Sequence, residues 1–209
     1  MCVSCNSALN RHFEVGAKPV VRRLLDEGLP LGSSRDVGLV AKWAVKTVAL
    51  MDHPGSQHQM LASVRDESKR FRSQPWDPYP FEICRGLSEG QIHPGLSLWV
   101  AVTAEAGGRA DPPFDPVYLR TTHRRDGAGG RGDSRMLGLS FPGGLVNFQL
   151  VFHPLHDLVH PFESDGTVRR VWPNPPAHLD LKTLPRLRGD SRLGSVFLES
   201  GLAVVACPR

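Results

Sequence analysis

Along the N-terminal stretch, apolar side chains recur at spacings of three and four: Leu9, Phe13, Ala17, Val20 and Leu24. Such spacing places them on one face of a helix, because about 3.6 residues complete a turn. The pattern predicts a helix running from Asn6, broken or kinked at Gly16 and Pro19, since proline lacks the amide proton and crowds the preceding turn. Gly28 supplies a stop. A second helix is predicted from Ser33 or Ser34, whose hydroxyl can accept from the free amides of the first turn. Its apolar stripe is Val37, Val40, Trp43, Ala44, Thr47, Val48 and Met51, with Lys42 and Lys46 on a different face, and Asp52-His53-Pro54-Gly55 ends it. A third, more polar helix is expected over residues 56–72.

After Gln74 the composition changes. Pro75-Trp76-Asp77-Pro78-Tyr79-Pro80 holds too many prolines for a helix or strand and reads as a linker. Beyond it, short runs rich in Val, Leu and aromatic residues predict strands at Leu96 to Thr103, Val117 to Thr122, Met136 to Phe141, Leu145 to Phe152 and Val196 to Val205, with turns at Gly129-Gly130 and Gly143-Gly144. The expected architecture is α+β, with helices packed on a mostly antiparallel sheet. It divides into residues 1–28, a helical region at 29–74, and an α+β region at 75–209. No internal repeat is visible.

Composition narrows the class. Hydrophobic residues at 40% and charged residues at 22% of the 209 positions are those of a folded globular protein rather than a disordered one. No window approaches the roughly 18 consecutive apolar residues of a membrane helix, and the N-terminus lacks the pattern of a signal peptide. The expectation is a cytoplasmic protein with no membrane partner. Net charge is +4 and the pI about 9.1, which permits contact with phosphate without requiring it. Arginine outnumbers lysine, which a GC-rich genome explains as readily as phosphate recognition does.

Of the four cysteines, Cys2, Cys5, Cys84 and Cys207, the first two stand close together. In a reducing compartment a close pair points to metal more than to a disulfide. A Cys-x-x-Cys turn lets two thiolates grip one zinc ion, which usually takes four ligands. Cys5 leads directly into the first predicted helix, whose positive end favours thiolates. That is the layout of the second half of a treble-clef zinc site. Zinc held by Cys2 and Cys5 alone is two ligands short, so the site is incomplete as it stands.

The run Cys2-Val3-Ser4-Cys5-Asn6-Ser7-Ala8-Leu9-Asn10-Arg11-His12-Phe13-Glu14 resembles the second zinc knuckle and following helix of bacterial and phage HNH-endonuclease-like proteins. Leu9 stands where that family commonly has tryptophan, and Phe13-Glu14 where it has Leu-Glu. The likeness continues through Ala17-Lys18-Pro19 and Ala41-Lys42-Trp43-Ala44-Val45-Lys46-Thr47, and faintly at Val171-Trp172-Pro173. The resemblance implies an upstream segment carrying the first Cys-x-x-Cys and an Asp/Glu-His pair, so it reads the chain as N-terminally truncated. It implies that Asn6 closes the catalytic motif, assisting a divalent metal such as magnesium if the missing segment is supplied. Phosphodiester hydrolysis needs a base beside water and a cation at the phosphate, and an asparagine alone supplies neither. The expected function is thus a truncated or degenerate HNH-like protein that retains DNA binding but does not cut.

Two other readings compete. One is a non-enzymatic scaffold or interaction protein in which the α+β body carries the function. The other is a hydrolase or metal site built on His153, His156, Asp157 and His160, although Pro154 interrupts any regular helix there and a polar loop after a strand is the plainer expectation. Arg131-Gly132-Asp133 reads as a flexible turn between strands. His123-Arg124-Arg125 and Arg169-Arg170 read as solvated surface, since isolated basic doublets make no stripe. Trp43, Trp99 and Trp172 sit in apolar settings and are expected in the core.

Overall fold

The computed structural model describes residues 3–51, 81–103, 121–124, 131–140, 146–152, 159–160 and 162–187. The chain enters through α1 (Val3–Leu9), a π-helical turn (Asn10–Glu14) and α2 (Lys18–Leu25). In the π turn the Val15 amide donates to the Asn10 carbonyl five residues back, at 3.1 Å. Its origin is legible in the apolar spacing. Two successive steps of four, Leu9 to Phe13 to Ala17, would drift by about 80° in an ideal helix, and a wider turn keeps all three on one side. All three are buried. Pro19 lies in the first turn of α2, where its missing amide leaves no bond unmade. Gly28 closes this segment with φ at 62°, and the Leu29 amide reaches back to the Arg23 carbonyl at 2.9 Å.

Helix α3 (Ser34–Met51) is capped as its sequence implies: Ser33 Oγ accepts from the Asp36 amide at 3.1 Å. Val37, Val40, Ala41, Ala44, Val45 and Val48 are buried, and Trp43 is half-buried against them. Helix α4 (Phe81–Ser88) follows the proline-rich stretch and buries Ile83 and Leu87, four residues apart. Its end is a Schellman arrangement, with the Gln91 amide on the Gly86 carbonyl (2.8 Å), the Gly90 amide on the Leu87 carbonyl (3.0 Å) and Gly90 at φ 80°. Glycine is required at position 90 twice over, because an added Cβ would stand 2.8 Å from the His12 ring.

The sheet comprises β1 (Leu96–Thr103), β2 (Thr121–Arg124), β3 (Arg131–Ser140), β4 (Val146–Phe152), β5 (Val168–Trp172) and β6 (Arg186–Leu187). Its order is β2-β3-β4-β1-β5, antiparallel throughout, with β6 pairing parallel to the end of β1. In the register Leu98 faces Leu150 and Val100 faces Phe148. These alternate residues, with Leu96, Phe152 and Val171, share one apolar cluster with residues of α3 and α4 and with Leu9, Phe13 and Leu24. The fold is therefore α+β, one core joining the helices to one face of the sheet. An isolated bridge between Leu31 and Leu179, with amides and carbonyls exchanged at 2.8 and 2.9 Å, ties the α2–α3 connection to the C-terminal part. The Trp172–Pro173 peptide bond is cis.

Several expectations change. The single helix from Asn6 is three helical pieces starting at Val3. Helix α4 and strands β5 and β6 are additional to the elements that the sequence pattern predicts. Arg131-Gly132-Asp133 is not a turn: it begins β3 and pairs with residues 122–124 of β2. Lys46, expected on one face with Lys42, has a partner that its spacing does not predict. It is buried and forms an ion pair with Glu14 of the π turn, because the π turn packs against that side of α3. The helix stop at 52–55, the predicted helix at 56–72, the linker at 75–80, residues 117–120, Arg125, the turns at Gly129-Gly130 and Gly143-Gly144, Phe141, Leu145 and the strand at 196–205 lie outside the described residues.

The Lys46–Glu14 pair leads to an asymmetric prediction. Glu14→Gln leaves a buried ammonium without its counter-charge and is expected to destabilise by about 2 kcal/mol, below the full range for buried pairs because Glu14 is itself half-exposed. Lys46→Met removes the need for a partner and is expected within about 1 kcal/mol of wild type. Urea melts of the two variants would show this ordering. Equal losses would mean the pair lacks the buried character described.

Candidate functional site

Two places gather chemistry-bearing side chains: the N-terminal helical segment and the sheet face turned away from the helices. In the first, α1 covers Cys5 and Asn6, and Asn6 is exposed. Cys2 lies outside the described residues. The buried stripe of this segment is Leu9, Phe13, Ala17, Val20 and Leu24. Shift each position back by two and the result is Ser7, Arg11, Val15, Lys18 and Arg22, all exposed. Two residues correspond to about 200° of helix, so this second stripe lies opposite the core. Three of its five members are cationic. Glu14 is the one carboxylate in the sequence between Val3 and Leu25, and Lys46 engages it. Arg23, between the two stripes, pairs with Asp36 at 2.8 Å. Arg22 also approaches Glu27 at 3.6 Å, an exposed pair of little energetic weight.

On the far side of the sheet, Ser97, Trp99 and Ala101 of β1 stand beside Val151, Gln149 and Asn147 of β4. Polar residues on a strand face are usually solvated, yet Ser97, Asn147 and Gln149 are buried. Part of the cover is the segment leading into β5. Its turn is held by the Glu163 amide on the His160 carbonyl (3.0 Å) and the Val168 amide on the Phe162 carbonyl (3.1 Å), with Gly166 at φ 76°. His160 is fully buried there. The Phe162 amide donates to His160 Nδ1 at 3.2 Å, so that nitrogen carries no proton. Nε2 therefore holds the proton and donates to Gln149 Oε1 at 2.8 Å. Burial first, then the positive charge of Arg170, lowers the His160 pKa from 6.5 to about 4, opposed by Asp165. Asp165 is itself held below the usual carboxylate range by hydrogen bonds from Thr167.

Trp99 and Arg170 complete this cluster. The Trp99 indole N–H donates to Glu163 Oε2 at 3.2 Å, and Arg170 donates to the same oxygen at 3.4 Å. The Arg170 guanidinium lies over the Trp99 ring, 5.0 Å from its centroid, a stacking contact in addition to the ion pair. Arg170 is thus not the solvated half of a basic doublet: Arg169 is exposed but Arg170 is three-quarters buried. The period-two alternation of β5 explains the difference, since Arg170 sits beside Trp99 on the covered face. Trp99 is buried, as its apolar setting implies, and Trp172 is half-buried with Lys42 Nζ 5.9 Å from its ring centroid.

The histidine cluster is not assembled as a metal site at His160, because both ring nitrogens are occupied by Gln149 and Phe162. His153, His156 and Asp157 lie outside the described residues. Among the described residues no group of three or more His, Cys, Asp or Glu side chains gathers as metal ligands, and no helix is long and apolar enough to cross a membrane. No protein-family description, curated protein or solved structure matches the chain.

Proposed function

We propose that the chain is an HNH-endonuclease-like protein whose N-terminal segment binds nucleic acid without supplying a hydrolytic centre. The observation that carries the reading is the coincidence of the Cys-x-x-Cys-Asn motif with a helix start. The HNH resemblance calls for a helix directly at the second cysteine, and α1 covers Val3 to Leu9, with Cys5 and Asn6 in it. In this reading Cys2 and Cys5 provide two thiolates of a treble-clef zinc site and the remaining two ligands come from elsewhere. Zinc would brace the knuckle; magnesium would enter with an Asp/Glu-His segment. Asn6 offers an amide, which can orient a water or a phosphate oxygen but cannot take a proton from water. Binding is accordingly the activity assigned to this stretch.

The scaffold reading draws on a different observation. Trp99 and Arg170 both donate to Glu163, and His160 is bonded to Gln149 and the Phe162 amide, which makes the far face of the sheet a packing device. A gel assay separates the two. The full chain is incubated with duplex DNA and magnesium, and the DNA is examined both for retardation and for cleavage. Retarded, uncut DNA is expected. Unretarded DNA favours the scaffold, and magnesium-dependent cutting contradicts the assignment of binding alone.

A further inference from the structure

We infer that the phosphate-contacting surface is the exposed stripe Arg11, Lys18 and Arg22 running along the π turn and α2, an assignment that rests on the nucleic-acid reading above. A charged row on a helix is ordinarily a solvated face; three features set this one apart. It mirrors the buried stripe two residues on, so it points away from the core along its whole length. No member of it is a carboxylate: Glu14 is drawn off to Lys46 and Arg23 takes Asp36, while Arg22 alone of the three cations approaches a carboxylate, Glu27 at 3.6 Å, in an exposed pair of little energetic weight. It ends abruptly where Asp26 and Glu27 begin, which confines the positive field to residues 7–22. Arg11 stands on the π turn and Lys18 and Arg22 on α2, three separate cations that can meet about three phosphates.

The chemistry favours nucleic acid over an anionic membrane. A membrane-surface helix inserts its apolar face beneath its basic one. Here the apolar face, Leu9, Phe13, Ala17, Val20 and Leu24, is buried, and Val15 is the lone apolar member of the exposed stripe. What the stripe offers is point charges at helical spacing, which suits a phosphate backbone read without base contacts. Its flanks, Asn10 and His12, are also exposed and can donate to phosphate oxygens.

The test measures fluorescence anisotropy of a labelled duplex with the full chain over a range of salt concentrations. It compares wild type with an R11Q/K18Q/R22Q variant and with an R169Q/K182Q variant that removes exposed cations elsewhere. All five positions are exposed, so thermal melts should coincide. The expected result is that the stripe variant loses at least 10-fold in affinity at low salt, and that its log–log salt slope falls by about 3 while the second variant keeps the wild-type slope. If wild type binds and the stripe variant binds equally well, the stripe assignment is overturned while the nucleic-acid reading stands. If wild type binds no duplex, or binds anionic vesicles in its place, both fall together.

Discussion

Replacing Trp99 by alanine is expected to cost about 3–5 kcal/mol of stability, the range for truncating a large aromatic side chain in a core. Three losses combine. The side chain is 1% exposed, on the interior strand β1 between β4 and β5, so its removal leaves a cavity between β1, β5 and the covering segment. Its N–H no longer satisfies Glu163 Oε2. Arg170 loses the ring beneath its guanidinium, leaving a mostly buried charge with one partner fewer. A Trp99→Phe variant keeps most of the packing but not the hydrogen bond, and should lose roughly 1–2 kcal/mol. Chemical denaturation monitored by far-UV circular dichroism orders the two; a Trp99→Ala loss below 1 kcal/mol would mean that this face of the sheet is not packed as described.

Acidification is expected to destabilise the fold through His160. Its pKa is lowered from 6.5 to about 4, so between these values the unfolded chain binds a proton that the folded chain excludes. The contribution is complete above pH 6.5, declines as pH falls, and is gone near pH 4. A gap of this size corresponds to about 3 kcal/mol at most. The cause is structural: a protonated ring would have to surrender the bond that the Phe162 amide gives to Nδ1, in a buried site beside Arg170. Other groups titrate in the same window, so the informative quantity is the difference between wild type and His160→Gln, which cannot titrate. The variant's stability should depend less steeply on pH between 4 and 6.5. Parallel curves would show that His160 is accessible to protons in the folded state.

Much of this architecture is written in short-range pattern. The buried stripe from Leu9 to Leu24, the Ser33 cap, the Gly28 stop and the limits of β1 follow from spacing and turn chemistry that a few residues specify. What escapes the pattern is decided by partners distant in the chain. Helix α4 is short and follows a run of prolines, and its one clear signal is the four-residue interval from Ile83 to Leu87, with Gly90 beyond. Strand β5, Val168-Arg169-Arg170-Val171-Trp172, carries two arginines, so it lacks the apolar density that marks a strand; only the register against β1 shows that Arg170 is covered and Arg169 is not. Lys46 is the same case on a helix. Its i,i+4 relation to Lys42 says nothing about Glu14, 32 residues earlier, which makes its burial tolerable.

The candidate sites divide along the same line. Cys2, Cys5 and Asn6 are a contiguous motif and could be singled out by inspection. The basic stripe could have been found in the sequence by shifting the apolar stripe two residues, since both share the intervals four, four, three and four. The Trp99–Glu163–Arg170–His160 cluster could not, because its members lie on β1, β5 and the segment before it, up to 71 positions apart (Trp99 to Arg170).

Nucleic-acid binding by this chain requires that the solvent face of its N-terminal helices meet a polyanion. The most direct measurement is the slope of log binding constant against log salt for the intact chain on duplex DNA. Three phosphate contacts predict a slope of about −3; a binding constant that does not change with salt, or no binding even at the lowest salt, would contradict it.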